Sequence, residues 1–142
     1  MSFFFEKEDR RCISQQRGKS NAEWGELAEE LAVAYLIEHG MPVTARRERV
    51  TSRLEIDIIS QQGDEMVFIE VKARGFNSED PDSAIDRDKI KRIVRAADIY
   101  LSRLEHPFFA RFDVVLIEGT LSDHTLTYIK DAFYPPLIGS GR

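Results

Sequence analysis

Between residues 43 and 72 the chain alternates short apolar runs with turn-forming residues, and on either side the apolar positions recur at a helical period. Upstream, Leu27, Leu31, Ala34 and Tyr35 predict a helix. It opens near Ser20-Asn21, either of which can cap it, and stops at Gly40 ahead of Pro42. Glu23 and Glu26 suit its positive end. Three strands follow, over residues 43–50, 54–59 and 66–72, the second closed by the turn residues Gln61-Gln62-Gly63-Asp64. In the third, alternation puts Val67, Ile69 and Val71 on one face and Phe68, Glu70 and Lys72 on the other. After a polar loop at 75–83, Ile90, Ile93, Val94, Ala97, Tyr100, Leu101 and Leu104 predict an amphipathic helix from about residue 86 to 104, with Pro107 beyond it. Residues 111–118 and 125–129 read as two more strands. The expected order is α-β-β-β-α-β-β, an α/β domain over residues 20–131. A flexible arm at 1–19 and a loose tail at 132–142 flank it.

Composition adds limits. Hydrophobic residues at 42% and charged ones at 32% of 142 residues describe one ordinary globular domain. No apolar run is long enough to span a bilayer, so no membrane association is expected. Phe3-Phe4-Phe5 lacks a basic flank and a long apolar region, which argues against a secretory signal. Cys12 is the only cysteine, which excludes an internal disulfide and a thiolate zinc cluster and fits a reducing, cytoplasmic setting. A net charge of −5 argues against a general nucleic-acid coat protein. It leaves room for an enzyme with an acidic site and local basic patches. One such patch is the second helix, with six basic against three acidic side chains between residues 86 and 103.

The candidate chemistry lies on the hairpin. Asp57 interrupts one apolar run and Glu70-Val71-Lys72 the next. Pairing of those strands brings the two carboxylates together, and Mg²⁺ typically takes one or two protein carboxylates and keeps several waters. The Val71 carbonyl is a further possible ligand. Lys72, two residues from Glu70, shares its face and can orient a water or stabilise charge on a phosphate. These are the components of phosphodiester hydrolysis. The ordinary alternative is a solvated cross-strand charge pair contributing about 0.2–1 kcal/mol. Against it stands the cost of a charge inside an apolar strand.

Several ordered motifs carry a family resemblance. Gly25-Glu26 with Ala28 and Ala32, Glu55-Ile56-Asp57-Ile58-Ile59, Phe68-Ile69-Glu70-Val71-Lys72-Ala73-Arg74, Lys89, and Arg111-Phe112-Asp113-Val114-Val115 together resemble the YraN family. That family is similar to Holliday junction resolvases of the PD-(D/E)xK superfamily. The resemblance implies a restriction-endonuclease-like mixed β-sheet flanked by helices, dependence on Mg²⁺ or Mn²⁺, and cleavage of DNA. Carried over by position, Asp57, Glu70 and Lys72 are the catalytic residues, and Glu26 is the first-helix acid that completes a metal site with Asp57, Glu70 and Val71. Lys89 falls where a basic residue suits a phosphate, and Arg74 closes the strand motif. The chain departs from its relatives at Glu48, where asparagine is common, and at Leu54, where glycine is. Resolvase-like enzymes generally act as dimers, so a homodimer is expected.

Other residues are read both ways. Glu26 also suits a first helical turn for its charge alone. Glu55 shares a strand face with Asp57 by period two, and ranks below it. Asp113 is either a supporting residue of the site or a structural hydrogen-bonding group. Arg46, Arg47, Arg49, Arg53 and Arg92 are candidates for phosphate contacts, although a charged face is the ordinary reading of any one arginine. His39, His106 and His124 have no ligand spacing. The functional expectation is a metal-dependent DNA endonuclease, with a non-catalytic DNA-binding or protein-interaction module on the same fold as the alternative.

Overall fold

The computed structural model describes residues 21–75 and 85–135. The arm expected at 1–19, most of the loop at 75–83 and the tail beyond 135 lie outside the described residues. The element order is α1 (Asn21–Glu38), β1 (Ala45–Arg49), β2 (Glu55–Gln62), β3 (Glu65–Arg74), α2 (Arg87–Ser102), β4 (Phe109–Gly119) and β5 (His124–Ile129). This is the expected α-β-β-β-α-β-β order.

The five strands form one sheet in sequential order. β3 and β4 run parallel and the other neighbours antiparallel, which makes the sheet mixed. The parallel pair follows from α2, which carries the chain back across the sheet. Gln62 pairs with Glu65, leaving a two-residue loop in which Gly63 has φ +63°. A glycine of positive φ in the first loop position is what a type II′ hairpin requires. The sequence places this turn at Gln61–Asp64; the strand in fact runs through Gln62.

Helices cover both faces. α1 packs Ala28, Ala32 and Leu36 against Ile58, Val67, Ile69, Val115 and Ile117. α2 packs Ile93, Ala96 and Ala97 against Ile56, Ile59, Met66, Phe68 and Phe112. The two faces of β3 are those read from the sequence, and the α2 stripe is too except at Ala96, which is buried and was not in the expected stripe. The α1 stripe differs: Ala34 is exposed and Leu27 only partly buried, while Ala28 and Ala32 are fully buried. Small alanines let the helix lie close on the sheet, and that close contact selects the face. α1 ends as expected at Gly40, whose φ is +71°. Met41 N–H reaches back to the Leu36 carbonyl at 2.8 Å and Gly40 N–H to Ile37 at 3.1 Å, a Schellman closure.

Two details set the stage for chemistry. Strict alternation fails in β2, because Ile56 packs on the α2 side with Ile59 while Ile58 packs on the α1 side. The break falls at Asp57, across from Arg47, which has φ +46°. On the far side of the sheet, Ala132 donates to the Phe112 carbonyl at 2.7 Å and Phe133 stacks on Phe112 at 5.1 Å. The start of the segment expected as a loose tail is thus anchored to the core. Among the described residues no helix is long and apolar enough to cross a membrane.

Candidate functional site

The pairing of β2 with β3 runs from Gln62↔Glu65 to Ile58↔Ile69. One step further along, the side chain of Asp57 takes over, its Oδ2 accepting the Val71 N–H at 2.9 Å. Glu70 lies beside it, buried, close enough that the charge of Asp57 acts on its carboxyl. Burial pushes the Glu70 carboxyl up to about 8, and the neighbouring Asp57 charge adds to the rise while Lys89 opposes it. Asp57 is raised as well, again chiefly by burial, with the Val71 N–H pulling the other way. Two carboxyls that resist joint ionisation attract any cation that replaces their protons.

Two lysines attend the pair. Lys89 comes from the first turn of α2, fixed there because its own N–H is capped by Asp86 Oδ1 at 2.8 Å. Its ammonium lies 3.3 Å from Glu70 Oε2. The sequence reads Lys89 as a phosphate contact; in this structure its partner is a carboxylate. Lys72 lines the same cleft, partly buried, and has no hydrogen-bond or ion-pair partner among the described residues. Its ammonium is therefore available to a ligand.

These groups open into a cleft of about 800 Å³ between α1, the β2–β3 fork and the start of α2. Asp57, Glu70, Val71, Lys72, Lys89 and Arg92 line it, together with Glu26, Glu29, Arg47, Arg49 and Glu55. The first-helix acid is where structure and sequence part. Glu26 lines the rim but is exposed. Among the described residues no three His, Cys, Asp or Glu side chains form a group that would hold a metal, so Glu26 does not complete a three-acid cluster. The buried acid of α1 is Glu29, three residues on, and its charge helps to raise Asp57. The sequence alone does not separate the two: Glu26 and Glu29 share a helix face, and the packing of Ala28 and Ala32 on the sheet is what buries Glu29.

The arginines are distributed differently from the expectation. Arg47 donates to Glu29 at 2.8 Å, and Arg46 binds Glu30 at 2.7 Å and Glu29 at 3.4 Å. Both are thus engaged in holding β1 to α1. Arg74 pairs with Glu118 at 2.9 Å across β3 and β4. Arg49 pairs loosely with Glu55 at 3.4 Å on the rim. Arg92, exposed on α2, remains directed to the cleft. Leu54 packs on the core while its carbonyl accepts Val50 N–H at 2.8 Å. Asp113 lies outside this group. It is fully buried, accepts both Arg111 Nε (3.0 Å) and Nη2 (2.8 Å), the Tyr128 hydroxyl, and the Asp131 N–H at 2.9 Å. Every one of those partners is structural, which decides between its two readings.

The donor set fits a hard divalent cation. Asp57 and Glu70 supply two carboxylates, the count at which Mg²⁺ keeps the rest of its shell as water. Among the described residues no thiolate or imidazole lines the cleft to favour a softer metal.

Comparison with known proteins places these features in one family. A family profile described as "Uncharacterised protein family UPF0102" matches residues 28–117. It covers Glu29, Asp57, the Glu70-Val71-Lys72 segment and Lys89, and begins two residues after Glu26. A UPF0102 protein of Bacteroides thetaiotaomicron is 40% identical over 116 residues, which are 81% of this chain and 95% of the relative. One from Halorhodospira halophila is 43% identical over 112 residues, 77% of this chain and 85% of its own. One from Chlorobium chlorochromatii is 36% identical over 122 residues, 81% and 94% respectively.

Proposed function

The chain belongs to the UPF0102 family, structurally related to the PD-(D/E)xK, Holliday-junction-resolvase-like superfamily, and from that premise we propose that it is a metal-dependent DNA endonuclease. The observation that carries this reading is the pair of half-buried Asp57 and buried Glu70, with Lys72, which has no partner among the described residues, lining the same cleft. Asp57 and Glu70 would hold Mg²⁺ or Mn²⁺, with the Val71 carbonyl within reach of the same ion. The cation, when bound, would neutralise charge on the phosphate undergoing attack. Lys72 orients the attacking water and stabilises the charge that gathers on the phosphoryl oxygens. The water oxygen forms the new bond to phosphorus as the bond to the sugar oxygen breaks. Arg92 from α2 and Arg49 from β1, both lining the cleft, are suited to neighbouring phosphates. Branched or otherwise structured DNA is the substrate class, and the cytoplasm the setting.

The test is a panel of linear, nicked, flapped and four-way DNAs incubated with Mg²⁺ or Mn²⁺. Metal-dependent cleavage is expected, and Asp57→Ala and Lys72→Ala should abolish it while remaining folded. Cleavage by those variants at the wild-type rate would sink the reading. One observation favours a second one, a non-catalytic DNA-binding module on the same fold: the absence of a three-acid group among the described residues. Under it, DNA binding persists without cleavage on any member of the panel. A homodimer belongs to the first reading, supported by Phe109, which is 73% exposed at the start of β4. Sedimentation at micromolar concentration should give the mass of two chains.

A further inference from the structure

Among the described residues Lys89 is the one cation that touches the acid pair directly, and its setting differs from that of the other bases around the cleft. Arg47 and Arg49 pair with acids of the rim or of α1, while Lys72 has no partner among the described residues. Lys89 Nζ instead lies 3.3 Å from Glu70 Oε2, on the carboxylate that the proposed cation would share with Asp57. Its charge acts on both members of the pair, favouring ionisation of each. The Glu70 side chain is 9% exposed but the Lys89 side chain is 42% exposed. One partner is therefore fixed and the other can leave. The backbone of Lys89 is held by the Asp86 cap, while a lysine stem has four rotatable carbons on which its head can swing outward.

An ammonium and a divalent cation on the same buried carboxylate repel one another strongly in a low-dielectric setting. They compete for one place. From this geometry we propose that Lys89 is a resident counter-cation of the acid pair, which a divalent metal must displace from Glu70 in order to bind. This rests on the metal site proposed above and adds to it a built-in threshold. The acids are kept paired and in place when metal is scarce, and the affinity for metal is lowered by the cost of moving the ammonium.

The experiment follows thermal unfolding of the full chain in EDTA and across a Mn²⁺ titration at pH 8, for wild type, Lys89→Met and Lys89→Arg. Methionine keeps the stem and removes the charge. For Lys89→Met, a Mn²⁺ midpoint at least threefold lower than in wild type is expected, together with a lower melting temperature in EDTA. Lys89→Arg, which retains the charge, should titrate no more tightly than wild type. A Lys89→Met midpoint equal to or higher than that of wild type overturns the exchange while leaving the metal site standing. A wild-type chain whose stability does not respond to Mn²⁺ overturns the metal site and the exchange with it.

Discussion

Glu70 is the residue at which burial, charge and function are most closely tied. Its carboxyl titrates near 4.5 in an unfolded chain and is pushed up to about 8 in the fold. Between those values the folded state binds more protons than the unfolded one. Stability contributed by this group is therefore present at low pH and is lost as pH rises through the window. Without divalent cations, the melting temperature should fall from pH 5 to pH 8 more steeply in wild type than in Glu70→Gln, which cannot ionise. Mn²⁺ should restore it chiefly at the alkaline end, because the cation binds only when the proton has left. Superimposable pH profiles for the two proteins would show that Glu70 is not the group involved. At this scale period two put Glu70 and Lys72 on one face of β3, while their reading as catalytic residues came with the family resemblance. Glu29 was not legible: both Glu26 and Glu29 lie on one helix face, and only the packing of Ala28 and Ala32 on the sheet decides which is buried.

The elements were legible where the pattern was one-sided and less so where it was not. α2 has a single apolar stripe, so its buried face followed directly; α1 is apolar on several sides, and close contact with the sheet chose among them. The break in alternation at Asp57 has no sequence signal; it coincides with the positive φ of Arg47 and with the hydrogen bond from Val71 N–H to Asp57. Yet that irregularity is what turns a strand residue into a member of the cleft. The opposite case is Asp113, whose position in an apolar strand drew attention as a possible site residue. Its four hydrogen bonds, to Arg111, Tyr128 and Asp131, tie β4 to β5 and to the backbone at Asp131, where φ is +56°. The buried Tyr128 hydroxyl is raised by burial first and by the Asp113 charge next, so it remains a donor. Removing Asp113 leaves Arg111 buried with only Glu65 at 2.8 Å. Asp113→Ala should therefore cost about 3 kcal/mol in urea denaturation, the lower end for breaking a buried ion pair. The Mn²⁺-induced rise in melting temperature should persist in this variant, as expected of a residue that supports the sheet and not the cleft. Loss of the metal response in folded Asp113→Ala would join the two regions after all.

For the molecule as a whole, the question is how a chain of net charge −5 would approach a polyanion. The cleft itself is no simple basic groove: among the described residues six acids and five bases line it, and Arg47 and Arg49 have carboxylate partners of their own. In that state its field gives DNA little reason to enter. A bound divalent cation would change the balance in two ways, by adding its own charge and, through the displacement of Lys89, by adding an ammonium no longer held by Glu70. DNA affinity should therefore depend on a divalent cation even when no cleavage occurs. Fluorescence anisotropy with a labelled four-way junction would measure it, in EDTA and in Ca²⁺, an oxygen-seeking cation used here to load the site. Binding in Ca²⁺ should be at least tenfold tighter, with a steeper loss on adding salt, because more phosphate contacts release more counterions. Glu70→Gln should bind equally in both conditions, since it has lost one of the two carboxylates. If wild type binds the junction with the same affinity and the same salt dependence in EDTA and Ca²⁺, the DNA backbone lies on another surface, and the cleft is not where this fold meets its substrate.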